Sequence, residues 1–243
     1  MKLESIDYSV NGVKCRGELA WDETAKTPRP LLLVCPNWAG VTPRAIETGK
    51  EMAAAGYVTM VADMYGIEGR PQGNEVPMKF LEPYIADPVL TRARVNGAME
   101  ALTKAAAERS IGNPKLRAAI GYCFGGSNVL DLARSGADVA AVVTMHGNLK
   151  TSLEAKPGEV KAAVLVVHGA DDPIAPKGDR DALEAEMRAA GANWTILAFG
   201  GVFHGFTDPM SNRPPSSQFS SRATRYGYSL AHEFIADAFA GKL

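Results

Sequence analysis

The sequence predicts an α/β protein with a mostly parallel central sheet and helices on both faces. Three observations predict it. Continuous apolar runs such as residues 31–34 and 162–167 have the length and uniform apolar character of strands buried on both sides. Between such runs lie stretches with apolar residues at helical spacing, and strand alternating with helix is the pattern of a doubly wound sheet. The chain has 243 residues, is 46% hydrophobic and carries a formal net charge of -1. That suffices for one well-packed domain over residues 1–243, with no internal repeat and no linker to divide it.

The elements follow in order. Residues up to Trp21 alternate as strands around Asn11-Gly12, a type I′ turn signal, so the chain opens with a β-hairpin. The run 31–35 is the next strand, and Thr42-Pro43 supplies an N-cap and a first-turn proline for a helix that Gly56 stops. Residues 57–62 read as a strand, and 89–108 as a helix with apolar residues at helical spacing. Between them, 66–88 is rich in glycine, proline and charge. An irregular stretch of that length is often functional, and it is expected to border the substrate pocket.

The strand 116–120 precedes a helix that begins near Phe124. Strands follow at 139–145, 162–167 and 194–199, with a helix over 180–190 closed by Gly191 between the last two. A closing helix over 217–240 is expected to put Phe219, Ala223, Tyr226, Leu230 and Phe234 on one core-facing stripe.

Composition excludes several classes. Lys and Arg are dispersed among acids, which argues against a nucleic-acid partner. The apolar runs are strand-length, far short of the roughly 20 residues that cross a bilayer, which argues against a membrane partner. The N-terminus, Met1-Lys2-Leu3-Glu4-Ser5-Ile6-Asp7, lacks the apolar core of a signal peptide, so a cytoplasmic location is expected. Cys15, Cys35 and Cys123 are an odd count without C-x-x-C spacing, which suits reduced thiols. No cluster of His, Cys and acids has metal-ligand spacing, and no metal or cofactor is expected.

The chemistry is concentrated at Gly121-Tyr122-Cys123-Phe124-Gly125-Gly126. It follows an apolar run and opens a helix, so it reads as a strand-to-helix elbow with a nucleophile at its apex. Asp172, in Gly169-Ala170-Asp171-Asp172-Pro173, and His204, in Phe203-His204-Gly205-Phe206, follow in the order nucleophile, acid, histidine. That is the order of the α/β-hydrolases. The register G-x-x-D selects Asp172 over Asp171, which suits a turn. All three follow predicted strands, where the carboxyl ends of an open sheet form the ligand crevice, so they can converge.

A helix N-terminus and a histidine both favour the thiolate of Cys123. His204 would exchange the proton, and Asp172 would hold one imidazole tautomer. Oxyanion donors in this architecture are backbone N–H groups, with Phe124 and Trp38 as candidates; Pro36 cannot donate, so the second donor falls to Asn37 or Trp38. Tyr65 and Trp38 suggest an aromatic wall, His146 stands at a strand end as a pocket candidate, and Arg70 and Arg213 are candidate cations. His168 reads as structural.

These motifs, with Val61-Ala62-Asp63-Met64-Tyr65-Gly66 after a strand, resemble the dienelactone hydrolase family, the cysteine-nucleophile branch of the α/β-hydrolases. The resemblance covers nearly the whole chain. It implies the α/β-hydrolase fold without a large cap, and hydrolysis of a small ester or lactone through a thioester-linked intermediate. The chain departs from the pattern at Asn37, where the enzymes that open dienelactones carry a glutamate, and this argues against dienelactone itself as substrate. The same constellation serves thioester or peptide cleavage, and a protein of another class would use Cys123 as a redox sensor.

Overall fold

The computed structural model describes residues 1–71 and 77–243. They form two compact units, Met1–Ala119 and Ile120–Leu243.

In the first unit, strands β1 (Lys2–Val10) and β2 (Val13–Trp21) make the antiparallel hairpin. Asn11 and Gly12 both take positive φ, 50° and 78°, as a type I′ turn requires. Strand β2 pairs antiparallel with β4 (Val58–Val61), which pairs parallel with β3 (Arg29–Cys35), giving the order β1-β2-β4-β3. Leu31 to Cys35 are all buried, which is why β3 reads as an unbroken apolar run. Helix α1 (Pro43–Ala54) is capped by the Thr42 hydroxyl, which accepts from Ala45 N.

The described residues of the stretch 66–88 carry more regular structure than its composition predicts. A single 3₁₀ turn at Ile67–Gly69 and a helix α2 (Pro77–Ala86) lie within it; residues 72–76 lie outside the described residues. Helix α3 (Pro88–Glu108) starts at the Asp87 cap, whose carboxylate accepts from Val89 and Leu90 N–H.

Strand β5 (Gly112–Tyr122) carries the chain into the second unit. There, β6 (Ala141–Met145), β7 (Ala163–Gly169) and β8 (Trp194–Phe199) run parallel, with helix α4 (Phe124–Arg134) before β6, α5 (Lys177–Ala190) between β7 and β8, and α6 (Ser221–Phe239) after β8. A short hairpin, β9 (Asn212–Arg213) with β10 (Ser217–Gln218), precedes α6.

The closing helix therefore starts at Ser221, capped by Ser220, and the expected apolar stripe is corrected. Phe219 lies before the helix, and Tyr226 is 50% exposed. The buried residues of α6 are Ala223, Gly227, Ala231, Phe234 and Ile235. Small residues carry this face because the helix lies close to the sheet: a Cβ on Gly227 would stand 3.0 Å from Val167 Cγ1. Counting large apolar residues cannot find a stripe built from glycine and alanine.

One buried ion pair ties this unit together. Arg134 on α4, 1% exposed, forks onto Glu186 of α5 at 2.9 and 2.8 Å and donates to Leu149 O at 3.0 Å. Glu186 also accepts from Ala155 N, so one pair fixes two helices and the loop after β6.

Candidate active site

Cys123 stands between β5 and α4 with φ 53° and ψ −115°, a conformation that strains an L-residue by about 1–3 kcal/mol. The sequence around it permits this and holds it. A Cβ on Gly121 would collide with the Gly125 carbonyl, and one on Gly126 would collide with Thr144 Oγ1 and Gly147 Cα, so strand and helix meet at van der Waals distance only because these residues are glycine. The Cys123 N–H donates to Met145 O at the end of β6, and its carbonyl accepts from Gly126 N at 2.9 Å. The thiol thus sits at the N-cap of α4, half-buried, where the helix dipole favours an anion. Phe124, the first residue of that helix, is buried.

Asp172 follows β7 and His204 follows β8. Asp172, 1% exposed, accepts from Ile174 and Ala175 N–H through Oδ1, while its Oδ2 lies 2.8 Å from His204 Nδ1. Two further ties brace the loops that bear them: Asp171 N donates to Val202 O, and Asp171 Oδ2 accepts from Gly201 N at 2.7 Å. Asp171 is therefore the turn residue of the adjacent pair.

His168, wholly buried, bonds Ala175 O through Nε2 and pins the acid loop from behind, the structural role expected of it. On the other side, Gln218 N donates to His204 O, so the β9–β10 hairpin closes over the histidine loop.

Burial works against charge on His204, but the hydrogen bonds and negative charge of Asp172 and Cys123 more than offset it and raise its pKa to about 10. Its Nε2 is buried without a full hydrogen bond.

His146 is placed differently from a pocket wall. It is 3% exposed, with φ 42°, and its ring packs edge-on to His204 at 5.2 Å and to Phe206 at 4.9 Å between centroids. Nε2 lies 2.7 Å from Thr207 Oγ1. Burial, then the nearby charge of His204, holds its pKa well below the usual range, so the ring is neutral. Arg213 is exposed on β9. Thr207 carried no signal in the sequence; only the tertiary structure reveals it.

The remaining candidates lie in the first unit. Asn37 turns its side chain into its own loop, where Oδ1 accepts from Ala39 N at 3.0 Å, and its carbonyl accepts from Gly40 N. The Tyr65 hydroxyl donates to Trp38 O at 2.7 Å, with the Tyr65 ring set edge-on against Phe80 and Tyr84. Tyr65 is 5% exposed and thus props the Trp38 loop rather than presenting an open wall. Arg70 is corrected as a substrate cation: its guanidinium is committed to the buried Asp63 carboxylate at 3.2 and 2.8 Å, and to Arg16 O. Asp63 in turn accepts from Tyr65, Gly66 and Arg16 N–H, so the motif around it anchors the loop after β4.

A mostly parallel sheet with helices, a strained strand-to-helix elbow at Cys123 and an acid–histidine pair at the strand ends define an α/β-hydrolase-type protein. The chain belongs to the dienelactone hydrolase family, whose family model matches residues 16–239. It is similar to a dienelactone hydrolase-like promiscuous phosphotriesterase, P91, from metagenomic libraries, at 29% identity over 98% of both chains with a TM-score of 0.86. A structure described as m3DLH is 30% identical over 98% of both chains, with a TM-score of 0.88. An uncharacterized protein of Caenorhabditis elegans, K02A2.1, is 35% identical over 127 residues, which are 50% of this chain and 80% of that protein. Among the described residues, no helix is long and apolar enough to cross a membrane.

Proposed function

We propose that this chain hydrolyses a small carboxylic ester or lactone without a cofactor, with Cys123 as nucleophile, His204 as general base and acid, and Asp172 as the group that orients His204. The observation that carries the reading is the 2.8 Å Asp172–His204 pair in the same unit as a cysteine held at φ 53° on a helix N-terminus. An inert structural thiol needs neither the strain nor the partner.

In this mechanism the Cys123 thiolate attacks the carbonyl carbon, and the C=O electron pair moves onto oxygen. The Phe124 N–H, at the start of α4, is the oxyanion donor proposed from this unit. Collapse of the tetrahedral species breaks the bond to the leaving alkoxide, which takes the proton from His204 Nε2, and a thioester remains on Cys123. Water then attacks the thioester and gives its proton to His204, the C–S bond breaks, and the carboxylic acid leaves. Asp172 holds Nδ1–H throughout, so that Nε2 stays directed to the exchange.

Intact-mass measurement of wild type and Cys123→Ala after exposure to activated esters, enol lactones and a dialkyl aryl phosphate tests the reading. The phosphate belongs in the panel because P91 is described as a promiscuous phosphotriesterase. An acyl adduct or turnover that vanishes in Cys123→Ala supports it. Undiminished ester hydrolysis by the folded variant overturns it, and labelling of Cys123 by peroxide alone, with no acyl adduct, supports the redox-sensing reading instead.

A further inference from the structure

We propose that His146 is a positioning residue, a strut that fixes the Cys123 thiol against the His204 imidazole; the inference rests on the hydrolase reading above. His146 directly follows Met145, whose carbonyl holds the Cys123 N–H at 3.1 Å. Its own N–H donates to Val167 O at 2.9 Å, which anchors it to β7. At the far end of its side chain, Nε2 meets Thr207 Oγ1 at 2.7 Å, three residues after His204. One side chain therefore links the strand end that holds the nucleophile's backbone to the turn that carries the proposed base.

Neither end of this link has room to shift. Gly147 is wedged against Gly126 and Thr144, so the β6 end cannot slide along α4. The ring is packed edge-on by both His204 and Phe206, with Tyr122, the residue before Cys123, 6.3 Å away.

A purely structural residue here would be chosen differently. The left-handed φ of 42° suits glycine or asparagine, and His146 Nδ1 is buried without a hydrogen-bond partner. A phenylalanine would fill the same space with no orphaned nitrogen. The histidine is explained by its 2.7 Å contact with Thr207 Oγ1, which a hydroxyl can satisfy as acceptor or donor with either imidazole tautomer. Three other titratable groups of this unit act on His204 besides His146: Asp172, Cys123 and His168.

The test uses Thr207→Val, which removes the hydroxyl and leaves the β6 backbone untouched, Thr207→Ser, which keeps it, and His146→Phe. Two quantities are read: the pre-steady-state acylation of Cys123 by p-nitrophenyl acetate, and the pH profile of its alkylation by iodoacetamide. Cys15 and Cys35 are fully buried, so alkylation of the folded protein reports Cys123.

Thr207→Val and His146→Phe are expected to acylate roughly ten- to a hundred-fold more slowly at similar KM, the cost of a small misplacement of reacting groups. Their alkylation profile moves to higher pH, and Thr207→Ser stays near wild type. Wild-type acylation and an unshifted profile in folded Thr207→Val overturn the strut, whether or not His146→Phe folds. If no ester acylates the wild type, the hydrolase reading fails instead, and the alkylation profile still decides the strut because it needs only the thiol and the imidazole.

Discussion

Asp172 and His204 are joined at 2.8 Å through Oδ2 and Nδ1, while the adjacent Asp171 uses its carboxylate to accept the Gly201 N–H. Two neighbouring acids of identical chemistry thus serve different elements. Asp172→Asn keeps the shape but presents an amide that cannot stabilise an imidazolium. Its turnover is expected to fall by about 10³–10⁴. Asp171→Asn retains an acceptor for Gly201 and is expected to stay within a few-fold of wild type. Steady-state kinetics of the two variants on one ester check the assignment, and the reverse ranking would move the acid to Asp171.

The φ of 53° at Cys123 separates stability from activity. Cys123→Gly removes both the proposed nucleophile and the strained Cβ. It is expected to be inactive yet more stable than wild type by about 1 kcal/mol, less the entropy that glycine adds to the unfolded chain. Cys123→Ala, which keeps the strain, should unfold close to wild type. Urea denaturation of the three proteins measures this; a Gly variant less stable than the Ala variant would show that the elbow is not strained.

Two buried histidines have opposite pH dependences within one unit, because Asp172 and Cys123 outweigh burial at His204 while burial prevails at His146. The pKa of His204 is raised from 6.5 to about 10, so its contribution is fully present below pH 6.5 and is lost as pH rises toward 10. That of His146 is depressed, so its contribution is present above pH 6.5 and is lost as pH falls below that value. The stability deficit of His204→Gln relative to wild type should therefore shrink between pH 6.5 and pH 10. Wild type should lose stability below pH 6.5 more steeply than His146→Phe. Urea midpoints from pH 5 to pH 10 check both signs, and a deficit for His204→Gln that grows with pH contradicts the assignment.

The elbow, the order of acid and histidine, and the strand–helix alternation were legible because each is written in local sequence: flanking glycines, turn residues, unbroken apolar runs. What was not legible depends on distance. Arg70 reads as a free cation until Asp63, seven residues away, is seen to hold it. Tyr65 reads as an open aromatic until its hydroxyl is found on Trp38 O. The core face of α6 is invisible to a search for large apolar residues because its close approach to the sheet selects Ala223, Gly227 and Ala231. His146 looked like a pocket residue because a histidine at a strand end faces either the crevice or the packing behind it, and sequence does not distinguish the two.

The Arg134–Glu186 pair offers a separate test of how the second unit is held together. Arg134 is 1% exposed, and its charge is balanced by two buried acids, Glu186 at 2.8 and 2.9 Å and Asp131 at 3.6 Å. Removing one partner leaves a buried, uncompensated charge, whereas removing both leaves a packing problem and a buried Asp131 carboxylate that no longer has Arg134 beside it. Arg134→Met alone is expected to destabilise by about 3–5 kcal/mol, since the buried Glu186 then loses its charge partner. Arg134→Met combined with Glu186→Leu should recover much of that loss, because like-sized apolar side chains can replace a buried pair at little net cost. The recovery is incomplete, because the Ala155 N–H and the Leu149 carbonyl each lose a hydrogen-bond partner. A double-mutant cycle from urea unfolding measures the coupling, and strictly additive losses would mean that the two charges are solvated separately rather than paired.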